Sequence, residues 1–234
     1  YKTAMTPAMG PVVIVADAVL QEEPIPEAER HALRVPKLTL AAPPAGDSSA
    51  IAEAARLLVA AENPVIVAGR CARTPEGLRH LVALAETLQA PVNDRPFRFR
   101  MNFPTRHPLY GAGNIADADV VLGLEVPDFW NATHAQTPVN RTGMEARATT
   151  KAGAKLVTIS SSDLLTKSNY QDFGAYAEVD LAISGDAEAS LPALVEACKR
   201  LITGDRARVL HERGARLAEA SRRSAEEALN QAAW

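Results

Sequence analysis

Two cysteines, five histidines, one glycine-spaced segment and one arginine-rich segment are the residues in this chain whose types and spacing could do chemistry. Cys71 and Cys198 lie far apart with no other Cys, so they form neither a CxxC metal pair nor a disulfide framework. A lone Cys beside a strand could be a reactive thiol in a crevice, but the commoner role is that of a small buried residue. His31, His80, His107, His134 and His211 show no pair at helical or turn spacing, which argues against a zinc-type site. His107, before Pro108, reads as the cap of a turn. Gly111-x-Gly113-x-x-Ala116 has the spelling of a dinucleotide fingerprint. A working fingerprint follows a strand and opens the helix of a βαβ unit of about 30 residues. Here no strand precedes it and the next strand starts within a few residues, so it reads as a turn before a short helix. Arg95 to Arg106 (RPFRFRMNFPTR) interleaves arginines with three Phe, a pattern able to stack on a base or an anion. In a chain of net negative charge the preferred reading is an interface loop, pinned by its Phe residues while the Arg heads meet acids.

These residues must be positioned by a fold, and the 234-residue chain is long enough for one large domain or two small ones. At this size a folded chain hides roughly 70% of the surface its unfolded form exposes, so no staple is needed. Lys and Arg number 25 against 28 Asp and Glu, a net charge of −3, with no basic excess for nucleic acid. No apolar run approaches the ~20 residues that cross a bilayer, and Tyr1-Lys2-Thr3-Ala4 does not open a signal peptide. The expectation is a soluble, cytoplasmic chain that is a piece of something longer.

Gly10 to Ala16 (GPVVIVA) reads as a strand buried on both faces that closes an upstream element. Gln21 to Asp47, with five prolines, reads as an interdomain linker. Then helical periodicity alternates with short apolar strands. Asp47-Ser48-Ser49 caps a helix with Ile51, Ala54, Ala55 and Leu58 on one face, and Asn63-Pro64 stops it. Strands are expected at Val65 to Ala68, around Pro91 to Asn93, at Asp119 to Leu124, Lys155 to Ile159 and Val179 to Ile183. Thr74-Pro75-Glu76 starts a second helix with Leu78, Leu81, Val82, Ala85 and Leu88 on one face. Gly185-Asp186 leads a third, whose face holds Leu191, Leu194, Val195, Cys198 and Leu201. This alternation implies βα units and a Rossmann-like α/β fold, a parallel sheet with helices on both faces. Glu125 to Lys151 reads as a long loop covering the crevice or reaching toward a neighbouring domain, and Asp205 to Trp234 as one connector helix with a small core contribution.

The landmarks, in order, resemble the central domain of thiamine diphosphate enzymes of the acetolactate synthase and pyruvate oxidase kind. They are Gly10-Pro11-Val12, the Pro-rich linker, Asn63-Pro64-Val65-Ile66-Val67-Ala68-Gly69, His107-Pro108-Leu109-Tyr110-Gly111, Ala116 to Leu122 (ADADVVL) and Val179 to Ala187 (VDLAISGDA). The resemblance implies a transferase or lyase of three domains. In this chain it places the end of a pyrimidine-binding domain at 1–17, a linker at 18–47, the central domain at 48–204 and a connector at 205–234 leading to a diphosphate-binding domain. In such enzymes the cofactor's ylid carbon attacks a 2-keto acid or related carbonyl. Thiamine diphosphate and Mg²⁺ would be held by the flanking domains, in a parent homodimer or homotetramer. The family's GDG motif with its downstream Asn is not found here. Gly185-Asp186-Ala187 and Gly204-Asp205-Arg206 share two letters with it and read as turns that enter helices. The fragment alone is expected to be inactive.

Many relatives hold FAD or ADP at the carboxyl ends of the strands, as open α/β sheets do. The corresponding positions are Gly69, Arg70 and Cys71 after the first strand, Ser160, Ser161 and Ser162 after the fourth, and Gly185 and Asp186 after the fifth. The flavin-binding members carry Arg-Phe-Asp where this chain has Glu125-Val126-Pro127-Asp128, and Ile-Asp-x-Asp-Pro where it has Ile159-Ser160-Ser161-Ser162-Asp163. The favoured expectation is therefore a structural domain without nucleotide. The rival is a free-standing FAD- or NAD-binding module of an oxidoreductase.

Overall fold

The computed structural model describes residues 1–7, 9–94, 103–139, 143–165 and 175–232, and divides into two units, Tyr1–Pro43 and Pro44–Trp234. The first unit holds three short helices, α1 (Lys2–Met5), α2 (Ala18–Glu22) and α3 (Glu27–Arg30), and none of them buries a residue. Gly10 to Ala16 corrects the expectation of a buried strand. It belongs to no sheet, and Val13, Ile14 and Val15 are each more than four-fifths exposed. A β-branched run favours an extended backbone, but a strand also needs a neighbour for its N–H and C=O groups.

In the second unit α4 (Ser48–Ala60), β1 (Pro64–Ala68), α5 (Pro75–Leu88), β2 (Val92–Asn93) and β3 (Val120–Leu124) come first. Next are α6 (Phe129–Thr133), a hairpin of β4 (His134–Pro138) and β5 (Met144–Ala148), then β6 (Lys155–Ser160), β7 (Leu181–Ser184), α7 (Ala187–Leu201) and α8 (Gly204–Ala232). The start of each core helix follows from its cap. The Asp47 carboxylate accepts from Ser49 and Ala50 N–H, Thr74 Oγ1 accepts from Gly77 N–H with Pro75 in the first turn, and Asp186 accepts from Ala189 N–H.

The main sheet is parallel throughout, in the order β2-β1-β3-β6-β7, with Ile66 opposite Leu122 and Leu122 opposite Val157. Period-2 alternation divides its side chains between two faces. On one, Ile66, Leu122, Leu124, Val157, Ile159 and Ile183 pack with Leu58 of α4, Leu81, Leu84 and Leu88 of α5, and Leu191 and Leu194 of α7. On the other, Val65, Val67 and Val121 pack with Phe129 and Ala132 of α6 and with Ala118, which follows a 3-10 turn at Ile115–Asp117. Gly123 has no side chain because a Cβ there would lie 2.7 Å from the Phe129 ring. The fold is the expected α/β one.

One segment departs from expectation, and another is, as expected, one helix of small core contribution, with only Leu210 and Arg213 buried, but is held in a way that apolar spacing does not announce. Within 125–151 the chain builds α6 and the β4–β5 hairpin rather than a structureless loop, and every hairpin residue from Ala135 to Pro138 and Met144 to Ala148 is exposed. The α8 helix, expected to contribute little to the core, docks through a charged residue. Arg213 is 4% exposed; its Nη1 donates to Ala61 O at 2.9 Å and Glu62 O at 2.7 Å, and its Nη2 donates to Leu88 O. One guanidinium thus closes the carboxyl ends of α4 and α5 together. Burial, with Arg206 beside it, pushes its pKa down to about 10, so the charge persists at neutral pH. Among the described residues no helix is long and apolar enough to cross a membrane.

Candidate functional site at the carboxyl edge of the sheet

The strand order reverses between β1 and β3, where doubly wound sheets of this order open a ligand crevice. Here the chain closes it. Gly69 N–H donates to Leu124 O at 2.8 Å and Arg70 N–H to Glu125 O at 3.0 Å, so the pairing of β1 with β3 runs on past both strands. Gly69 is required at this contact, since a Cβ would stand 1.9 Å from the Glu125 carbonyl oxygen.

Glu125, 6% exposed and in the left-handed region at φ 47°, has its carboxylate inside this edge. Its Oε1 accepts from Ala187 N–H at 3.0 Å and Ser161 N–H at 3.1 Å. Its Oε2 accepts from Ser161 Oγ at 3.0 Å and Ser160 Oγ at 3.4 Å. Burial raises its pKa above the ordinary carboxylate range, against these hydrogen bonds, and the neighbouring Asp186 charge adds to the rise.

Asp186 is fully buried. One oxygen accepts from Ala189 N–H at 2.9 Å and the other from Arg73 Nη2 at 2.5 Å. Glu188 accepts from Arg73 N–H at 2.5 Å and from Thr74 Oγ1 at 2.7 Å, tying the start of α5 to the start of α7. Gly185 donates its N–H to Ser160 O at 3.1 Å and passes so close to Gly46 that a Cβ would meet Gly46 N at 2.9 Å. Cys71 is fully buried beside this edge, and burial first, then the Glu125 charge, pushes its thiol up to about 12. It is a core residue rather than a nucleophile.

The structure therefore brings Ser160, Ser161 and Asp186 into one hydrogen-bonded cluster with Glu125, Arg73 and Glu188, and sets Gly69 and Gly185 at close backbone approaches. Arg70 joins through its backbone N–H. No sequence motif singles out the central member, Glu125. The signal for it is the replacement of Arg-Phe-Asp by a segment that opens with a carboxylate. Chemically the cluster is an anion site already filled: the first N–H groups of α7 and two serine hydroxyls face carboxylates of the chain itself.

The fingerprint-like loop lies elsewhere. A cavity of about 420 Å³ is lined by Asn93, Gly111 to Ala116 and Thr149, none of which belongs to the Glu125 cluster. Gly111 turns at φ 63°, and Gly113 packs where a Cβ would meet the Pro91 side chain at 2.6 Å. Packing thus accounts for the second glycine, as expected of a turn before a short helix. His107 caps its turn as expected, Nδ1 accepting from Leu109 N–H at 3.2 Å. Residues 95–102 of the arginine-rich segment lie outside the described residues, while Phe103 is fully buried. Among the described residues no group of three or more His, Cys, Asp or Glu is placed to hold a metal ion.

Residues 51–194 match the family model of the thiamine pyrophosphate enzyme central domain. The fold is similar to that of benzoylformate decarboxylase from Polynucleobacter necessarius, with 23% identity over 84% of this chain and 34% of that one, at a TM-score of 0.58. It is equally similar to a protein from Mycobacterium smegmatis described as a candidate thiamin diphosphate-dependent enzyme, with 24% identity over 84% of this chain and 35% of that one, at a TM-score of 0.58. The chain spans about a third of the length of these two proteins. No curated protein matches it closely enough to count as a relative.

Proposed function

The chain belongs to the central-domain family of thiamine pyrophosphate enzymes, and we propose that it is the structural middle domain of a decarboxylase, carboligase or lyase acting on 2-keto acids or related carbonyls. Its task is to hold two cofactor-binding domains in register, with residues 18–47 and α8 as connectors and the exposed Val12–Val15 run as the end of the preceding domain. Thiamine diphosphate supplies the carbanion-stabilising chemistry in such enzymes. The donor set of this chain does not fit that group: a diphosphate at the start of α7 would meet Glu125, Asp186 and Glu188, all of its own sign. No catalytic step is assigned to these residues.

The observation that carries the reading is the Glu125 carboxylate accepting Ala187 N–H and Ser161 N–H, because those amides are the donors a nucleotide phosphate would need. On this reading the domain holds neither FAD nor ADP. The oxidoreductase alternative draws no support from the fold, the cluster or the similar proteins. Calorimetric titration of the chain with FAD, with ADP and with thiamine diphosphate plus Mg²⁺ tests it. No saturable heat is expected from any of the three. Saturable FAD or ADP binding would overturn the filled-crevice argument, and saturable thiamine diphosphate binding would overturn the assignment of the cofactor to the neighbours.

A further inference from the structure

The β4–β5 hairpin is a two-stranded ribbon to whose outer edges no strand pairs among the described residues, a form that is marginal by itself in water. Its register fixes which backbone groups face outward. Val139 N–H donates to Gly143 O and Thr149 N–H to Thr133 O, so the bonded pairs continue through Thr137–Glu145 and Ala135–Arg147. The N–H and C=O groups of Met144, Ala146 and Ala148 therefore point away from β4, and among the described residues they have no partner. On the opposite edge the outward residues are His134, Gln136 and Pro138, and Pro138 has no N–H to give. The β5 edge carries no proline.

We propose that the β5 edge pairs antiparallel with the β5 edge of a second copy of this chain, about a two-fold axis through Ala146. The sequence Met144-Glu145-Ala146-Arg147-Ala148 is complementary to itself in that arrangement. Ala146 bonds its own copy, and Met144 bonds Ala148 of the other chain in both directions, giving up to six main-chain hydrogen bonds. Glu145 then stands directly opposite Arg147 of the second copy, and Arg147 opposite its Glu145, in the non-hydrogen-bonded positions where side chains approach most closely. Any shift of register by two residues breaks both ion pairs. Within one chain neither Glu145 nor Arg147 has a salt-bridge partner among the described residues, so both are available for this contact. The β4–β5 ribbon becomes one half of a four-stranded sheet, in the order β4-β5-β5-β4, that spans the two copies, and the second copy supplies the third and fourth strands an isolated hairpin lacks. This inference stands apart from the proposed function, since it uses none of the residues of the Glu125 cluster.

Sedimentation velocity of the full chain from micromolar to millimolar concentration tests it. The chain is expected to show a monomer–dimer equilibrium. E145K and R147E should each weaken it by about tenfold or more, because each turns two attractive cross-strand pairs into like-charge pairs. An equimolar mixture of E145K and R147E should recover the dimer as a heterodimer, since every cross-strand pair is again of opposite sign. A146P removes an outward N–H that β4 does not use, so it should abolish the dimer while the hairpin's circular dichroism persists. A chain that stays monomeric at millimolar concentration, a dimer untouched by A146P, or a mixture no more dimeric than its components would overturn the proposal.

Discussion

Replacing Arg213 with alanine probes how α8 is held to the domain. In the wild-type chain three carbonyls accept from one guanidinium, at Ala61, Glu62 and Leu88. Truncation leaves Ala61 O with its bond from Arg206 Nη2, so Glu62 O and Leu88 O are the two groups stranded at the ends of α4 and α5. Leu88 O is buried and costs about 1–3 kcal/mol when left without a partner, whereas Glu62 O, on an exposed residue, can turn to water at a smaller cost. Adding the lost burial of the arginine stem, which shares a helix face with Leu210 and Leu217, R213A should destabilise the chain by about 3–5 kcal/mol. R213K keeps the charge but not the fork, and one ammonium cannot span carbonyls from two helices equally well. It should cost about 1–3 kcal/mol. Urea denaturation followed by circular dichroism measures both, and trypsin should cut α8 sooner in R213A than in the wild type. If R213A lies within about 1 kcal/mol of the wild type, the reasoning fails, and α8 must be held by its few apolar contacts.

Burial raises the pKa of Glu125, so the folded chain binds that proton more tightly than the unfolded chain. Lowering the pH from neutrality into the window above the ordinary carboxylate value therefore adds stability through Glu125; E125Q lacks that gain, and the advantage of the wild type over E125Q should widen as pH falls, as read from denaturation midpoints. Cys71 and Cys198 are fully buried with thiols pushed up to about 12, so a thiol-specific disulfide reagent at pH 8 should label neither until denaturant is added. G69A forces a Cβ into the Glu125 carbonyl and should cost about 3 kcal/mol or more, with G10A, which meets nothing, as the neutral control. Amide exchange should be fast in α8 beyond about residue 221, where its side chains are exposed, and slowest around Leu210 to Arg213.

The elements that bury an apolar face are legible in the sequence. Asp47, Thr74-Pro75 and Asp186 announce three helices through local chemistry, and the spacing of Ile51, Ala54, Ala55 and Leu58 names a core face that the fold buries. What sequence patterns do not carry is everything whose partner is far off in the chain and polar. Arg213 is buried by carbonyls that belong to other helices, and apolar periodicity does not register a buried cation. The hairpin is illegible because alternation is the signature of a half-buried strand, and both faces of β4 and β5 are exposed apart from His134 at the ribbon's start. The Val12–Val15 run has the composition of a strand, yet composition cannot supply the neighbour that makes an extended segment into one.

The two departures from the flavin-binding pattern are physically one. The segment opening with Glu125 stands where the flavin pattern places Arg-Phe-Asp, and Ser160 and Ser162 stand where it places carboxylates, so donor and acceptor have exchanged strands. The exchange is self-consistent only because β3 and β6 are neighbours and end level with each other, Leu124 opposite Ile159. The residues that follow them then face one another, and the Glu125 carboxylate meets the Ser161 N–H and hydroxyl. Glu125 beside carboxylates in place of the serines would meet charges of its own sign, and the serines without Glu125 would leave the first amide of α7 open to an outside anion. Together they convert a crevice edge into a closed seam, a hydrogen-bonded network that stiffens the carboxyl edge of the sheet.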